Sequence, residues 1–192
     1  MSGPSVPGTF GVASDLLAQL RARGWTIAVA ESVTGGLLAS ALVEIPRASA
    51  SLRGGVVAYD TAIKRSLLGV DARTLADGGA VQPRVAAQMA EGVRRAMAVD
   101  GAASEVGVAT TGIAGPVSPD GQPVGTVDIG VSLPGGTHTE RAVLSGDRDE
   151  IRVQAVGLAL RLTLDLVRAE SPTRVAGEGN LCDSEESDRS RD

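Results

Sequence analysis

Few side chains in this sequence can do covalent chemistry. There is one His (His138), one Cys (Cys182), one Tyr (Tyr59) and a single Lys, Lys64, among 18 basic residues. One His and one Cys cannot build a Cys/His zinc site or an internal disulfide. His138 follows the turn Pro134-Gly135-Gly136 and is expected on an exposed hairpin, and Cys182 lies in a polar segment. Asp71, Asp77, Asp100 and Asp128 show no metal-ligand spacing. The expectation is a site with neither metal nor cofactor. A His-based triad would have to use His138, and hydroxyl and lysine chemistry is the main nucleophilic option left.

Three loops and one helix start offer such groups. The first, Glu31-Ser32-Val33-Thr34-Gly35-Gly36, presents two hydroxyls and two glycines between a strand and a helix. Backbone N–H groups at a helix start are unspent donors for an anion or oxyanion. The plain alternative is a capped helix start with a tight turn. No Lys-Ser/Thr follows the glycines, so this is not a P-loop, nor is it the G-x-S-x-G elbow of the α/β-hydrolases. The second loop runs from Tyr59 to Lys64 behind an apolar strand. Lysine that loses solvent there drops its pKa towards neutrality, and a neutral amine can deprotonate a hydroxyl nucleophile. The Tyr59 hydroxyl could donate a hydrogen bond to orient it. The alternative is a solvated surface Lys. The third loop, Thr110-Thr111-Gly112-Ile113-Ala114-Gly115-Pro116, is answered by Pro123-Val124-Gly125-Thr126. Loops of this length are uncommon unless functional. Finally, Arg148 stands at a helix start, where its planar fork suits a phosphate or carboxylate.

The elements that must position these groups alternate between helix and strand. Helical spacing covers residues 12–23, 37–43, 62–68 and 72–76. A helix opening at Pro83 carries Val85, Met89, Val93 and Met97 at intervals of four. A last helix follows Asp147, with Glu150 completing a capping-box pattern and Ile151, Ala155, Leu158, Leu162 and Leu166 on one face. Apolar runs at 26–30, 55–59, 104–110, 124–133 and 137–144 read as strands, the last two joined as a hairpin. Helices interspersed with buried strands predict a layered α/β/α fold with a mixed central sheet.

Composition narrows the function classes. The chain has 192 residues, 43% hydrophobic, and only Phe10, Trp25 and Tyr59 are aromatic, so Ala, Val, Leu and Ile must fill the core. A net charge of −5 and the lack of aromatics speak against nucleic acid as a partner. No stretch approaches the roughly 20 apolar residues of a membrane span, and residues 1–11 do not read as a signal peptide. A cytoplasmic protein is expected, with a flexible leader over 1–11, one domain over 12–170 and a disordered acidic tail over 171–192.

Taken together, AESVTGG (30–36), GGVVAYDTAIK (54–64), TTGIAGP (110–116), PVGTV (123–127) and SGDRDEIR (145–152) resemble, in order and spacing, the CinA C-terminal domain family. The resemblance covers residues 12–168. It implies that family's α/β fold and, from its stand-alone members, hydrolysis of the carboxamide of nicotinamide mononucleotide (NMN) to nicotinic acid mononucleotide and ammonia. Larger relatives carry an additional N-terminal domain, whose activity is not expected here. By resemblance Ser32 is the nucleophile, with Thr34 the fallback, Lys64 its base, and Tyr59 the residue that holds the amine. N–H groups near Thr34, Gly35 and Gly36 would stabilise the oxyanion. Glu31, Thr111, Gly112, Gly115 and Thr126 complete the expected substrate site, with Arg148 on the phosphate. Relatives commonly assemble as dimers or larger homo-oligomers, so a homo-oligomer is expected. Many relatives have Ser/Thr-Asn after the tyrosine, where this chain has Asp60-Thr61. The alternative readings are a non-catalytic nucleotide-binding module and a hydrolase of a different small amide.

Overall fold

A computed structural model of the chain describes residues 8–118 and 121–170; most of the expected leader, all of the expected tail and Cys182 lie outside them. Five strands form one sheet in the order β2-β1-β3-β4-β5. They are β1 (Ile27–Glu31), β2 (Leu52–Val57), β3 (Val106–Gly112), β4 (Thr126–Leu133) and β5 (Gly136–Val143). β1 runs parallel to β2 and β3, whereas β3-β4 and β4-β5 are antiparallel. The helices are α1 (Phe10–Arg23), α2 (Leu37–Val43), α3 (Thr61–Leu68), α4 (Ala72–Gly78), α5 (Pro83–Ala96) and α6 (Arg148–Ala169). The mixed sheet between helical layers is the architecture the sequence predicts. α1 begins two residues inside the expected leader, a difference of the size at which helix ends fray.

Strand alternation sorts the core into two unequal layers. Ile27 and Val29 of β1, Val106 and Val108 of β3 and Val127, Ile129, Val131 and Leu133 of β4 all face α1, α2 and α6. The opposite face carries Ala28, Ala30 and Ala109, which meet Val85, Met89 and Val93 of α5. Small residues there let α5 lie close. A Cβ at Gly107 would collide with the Ala90 carbonyl, and one at Gly130 with the Ala86 carbonyl. β1 is buried along its whole length, as its uninterrupted apolar run requires.

β3 is displaced by two residues, running over Val106–Gly112 rather than 104–110, and β2 and α6 also differ from the sequence reading. β2 starts at Leu52 and stops at Val57, rather than running over 55–59. Leu52 pairs with Ile27 through a register shift, and the carbonyls of Ala58 and Tyr59 turn away to the Lys64 amine. On α6 the fully buried face is Ile151, Ala155, Val156, Ala159, Leu160, Leu164 and Val167, while Leu158, Leu162 and Leu166 are only half-buried. That helix packs on α1, α2 and the sheet together, so a broader, rotated face is covered. The cap of α6 is as read: the Asp147 carboxylate accepts from the Asp149 and Glu150 N–H groups, and Glu150 reaches back to the Asp147 N–H. No described helix is long and apolar enough to cross a membrane.

Candidate active site

In open α/β sheets, ligands bind beyond the carboxyl ends of parallel strands, where neighbouring connections part. Here the chain leaves β1 towards β2 on one side, and β3 lies on the other. The ends of those three strands deliver Ser32, the segment Ala58-Tyr59 and the pair Thr111-Gly112. Together they surround a cavity of about 290 Å³, close to the lower end of the roughly 300–1,000 Å³ of small-molecule sites.

Lys64 is the most unusual residue in it. It sits in the first turns of α3, whose N-cap Asp60 accepts from the Ala62 N–H. Only 1% of it is exposed, which is rare for a lysine. Its Nζ donates to the Ala58 carbonyl at 2.7 Å and to the Tyr59 carbonyl at 3.1 Å, and lies 3.1 Å from Ser32 Oγ. Burial lowers its pKa from 10.5 to about 8, against the smaller opposing pull of Asp60. A neutral amine has two hydrogens and one lone pair. With the two carbonyls taking the hydrogens, the lone pair is left for the Ser32 hydroxyl, which then donates to it. Ser32 is therefore placed to lose its proton to Lys64.

The phenol of Tyr59 does not hold this amine. Tyr59 is 63% exposed, and its hydroxyl accepts from Arg148 Nη2 at 3.3 Å. The orienting group is the Tyr59 backbone carbonyl instead, a contact any residue type could supply. Arg148 also donates to the Gly115 carbonyl at 2.9 Å. It thus spans the cavity mouth between the β2–α3 and β3–β4 loops and keeps donors free for an anion. Thr111, Gly112 and Gly115 line the same cavity.

Five residues expected to contact substrate are otherwise engaged. The Glu31 carboxylate accepts from the N–H groups of Gly36, Leu38 and Ala39 at 2.8–3.0 Å. It supplies the anion that the start of α2 favours, and is 1% exposed. The Gly36 N–H is consequently spent and cannot serve an oxyanion. Thr34 is wholly buried, with its hydroxyl 2.7 Å from that of Thr110. It does not line the cavity, which removes its candidacy as the nucleophile in this arrangement. Thr126 donates to the Pro123 carbonyl at 2.7 Å and shapes the β3–β4 loop. Gly35 lies outside the cavity wall, against Arg152.

Sequence reasoning passed over the apolar wall, made by Val33, Ala80, Val81, Ile113, Ala114 and Val117. Ala80 and Val81 come from the α4–α5 connection and are strapped in place, with Thr111 Oγ1 donating to the Ala80 carbonyl and Gln122 Nε2 to that of Val81. No spacing rule links residues 31 and 41 positions apart, so only the fold could bring them together. Arg152 was also missed, although it closes the motif SGDRDEIR.

The fold and site together define a class: a three-layer α/β domain with a buried lysine against a serine at a strand end. The family is given by comparison. The CinA C-terminal domain model matches residues 10–167, and the chain belongs to that family. A CinA-like protein of Frankia casuarinae is 49% identical over 166 residues, covering 84% of this chain and 36% of that protein. The chain thus spans about a third of that relative's length. Among solved structures, the competence-damaged protein (CinA) superfamily protein KP700603 of Klebsiella pneumoniae superposes with a TM-score of 0.79 at 32% identity. The match covers 85% of this chain and 99% of that one. The competence/damage inducible protein CihA of Agrobacterium tumefaciens gives 0.77 at 34% identity, covering 84% and 97%.

Proposed function

We propose that this protein hydrolyses the carboxamide of NMN, giving nicotinic acid mononucleotide and ammonia, through Ser32 and Lys64. The observation that carries the reading is the Ser32 Oγ–Lys64 Nζ pair, 3.1 Å apart and buried, with the amine's other hydrogens committed to two carbonyls. At its lowered pKa of about 8, roughly one amine in ten is neutral at pH 7, some 300-fold more than for a free lysine. Arg148 at the mouth supports an anionic substrate, and the apolar wall supports a flat ring.

The steps balance as follows. Lys64 takes the Ser32 proton as Oγ attacks the carboxamide carbon, forming a tetrahedral oxyanion. The Lys64 ammonium returns that proton to the departing nitrogen, the C–N bond breaks, and ammonia leaves a nicotinoyl ester on Ser32. Water then attacks the ester with Lys64 again as base, and the proton passes back to Oγ as the acid is released. The arrangement would supply the general base without a histidine or a metal.

The test is ammonia release from NMN by the purified protein, with the nucleotide product identified by mass. Turnover that disappears in Ser32→Ala supports the reading. Absence of turnover by the wild type overturns it. Stabilisation by unconsumed NMN would instead assign the nucleotide-binding module, and turnover of free nicotinamide in place of NMN would assign a different small-amide hydrolase.

A further inference from the structure

The turn that carries Ser32 is held from two sides. From beneath, the Glu31 carboxylate gathers the N–H groups of Gly36, Leu38 and Ala39. From α6, the Arg152 guanidinium donates through Nε to the Val33 carbonyl at 3.2 Å and through Nη2 to the Thr34 carbonyl at 3.1 Å. Its third arm, Nη1, meets the Asp149 carboxylate at 3.2 Å. The planar fork therefore spans two consecutive carbonyls immediately after Ser32, across 118 and 119 residues of chain.

We infer that Arg152 is a positioning residue for the Ser32 nucleophile, an inference that rests on the Ser–Lys reading above. Three observations carry it. Val33 lines the cavity, so a shift of its peptide moves part of the cavity wall. The turn holds a left-handed glycine, Gly35, with φ +57°, over which the guanidinium sits; a Cβ there would lie 3.3 Å from Nη2. Finally, Arg152 lies one helical turn beyond Arg148, so both project from the same side of α6. The capping box that fixes the start of α6 thereby sets two things at once: Arg148 across the mouth and Arg152 on the nucleophile turn. Asp149 forms one ion pair with Arg152 and stands between the two arginines in sequence.

Arg152 touches neither the reacting atoms nor the cavity, so its loss should slow the Ser32 step without weakening substrate contacts. A misplacement of order 1 Å in a reacting group costs about 100-fold in rate. The variants are Arg152→Met, which keeps the apolar stem and loses every donor, and Arg152→Lys, which keeps the charge and three rotatable donors on one nitrogen but not the planar fork. Two readouts are taken on each folded variant: the rate of Ser32 labelling by a fluorophosphonate, followed by intact mass, and kcat and KM for NMN. In the labelling step Oγ bonds to phosphorus, fluoride leaves and Lys64 takes the hydroxyl proton.

The expected result is a fall of about 10- to 100-fold in labelling rate and kcat for Arg152→Met, with KM within about threefold and partial recovery in Arg152→Lys. A wild-type labelling rate in both variants overturns the inference, even if their melting temperatures fall, because Arg152 would then serve stability alone. If the wild type labels at Ser32 but leaves NMN intact, the substrate assignment fails and the labelling rates still decide the role of Arg152. A wild type that does not label at Ser32 overturns both.

Discussion

Replacing Lys64 with Met should separate the cost of burying this amine from the contacts it makes. The folded pKa of about 8 lies below the ordinary 10.5. Below about pH 8 the amine is charged in both folded and unfolded chains, and the folded state bears the full cost of desolvating it. Between about pH 8 and 10.5 the unfolded chain binds more protons than the folded one, so stability rises with pH. Above that window the group contributes no further pH dependence. Each pKa unit corresponds to roughly 1.4 kcal/mol, so the cost near pH 7 is about 3 kcal/mol. By about pH 9.5 it has fallen by about 2 kcal/mol. Lys64→Met also strands the Ala58 and Tyr59 carbonyls, at about 1–3 kcal/mol for each buried group. That loss is the same at every pH and cancels from the pH dependence, as do all titrations the two proteins share. Urea unfolding of both proteins at about pH 7 and pH 9.5 measures it. The stability of Lys64→Met relative to wild type should drop by about 2 kcal/mol between the two conditions. A difference that stays constant, or one that grows in the variant's favour, would refute the assignment of a desolvated amine. The same pKa sets the activity profile: log kcat/KM should climb about one unit per pH unit and level off near pH 8. A profile still climbing towards 10.5 would place the amine in water.

Four further variants test the site. Ser32→Ala should reduce ammonia release by more than about 1,000-fold, whereas Thr34→Val, which removes a buried hydroxyl paired with Thr110, should retain most of the rate and lose about 1 kcal/mol in urea unfolding. Glu31→Gln should cost about 2–3 kcal/mol in the same assay, because a single amide oxygen replaces a carboxylate that accepts three N–H groups. Arg148→Gln should raise KM for NMN at least about tenfold with a smaller change in kcat, and should have little effect on a substrate lacking the phosphate.

Why some of this was legible in the sequence and some was not follows from the range of each interaction. The capping box of α6 is written within four residues, and the spacing of Val85, Met89 and Val93 within three helical turns, so both could be read directly. The buried strands announce themselves through apolar runs, and the fold class follows from their order. Lys64 stood out by residue type alone, as the one side chain among the 18 Lys and Arg residues able to lose its proton. Its actual restraint, two backbone carbonyls from the end of β2, leaves no mark on side-chain identity, which is why the Tyr59 phenol was assigned a task its own main chain performs. The polar residues Glu31, Thr34 and Thr126 failed in the opposite direction. Their types suit a ligand, but each one finds a protein partner that satisfies it, and the sequence does not show which polar group is already spent. A loop rich in hydroxyls, glycines and one carboxylate therefore overstates the number of ligand contacts. In this turn, Ser32 is left in the cavity wall, and Glu31, Thr34, Thr110 and Arg152 hold the turn that carries it.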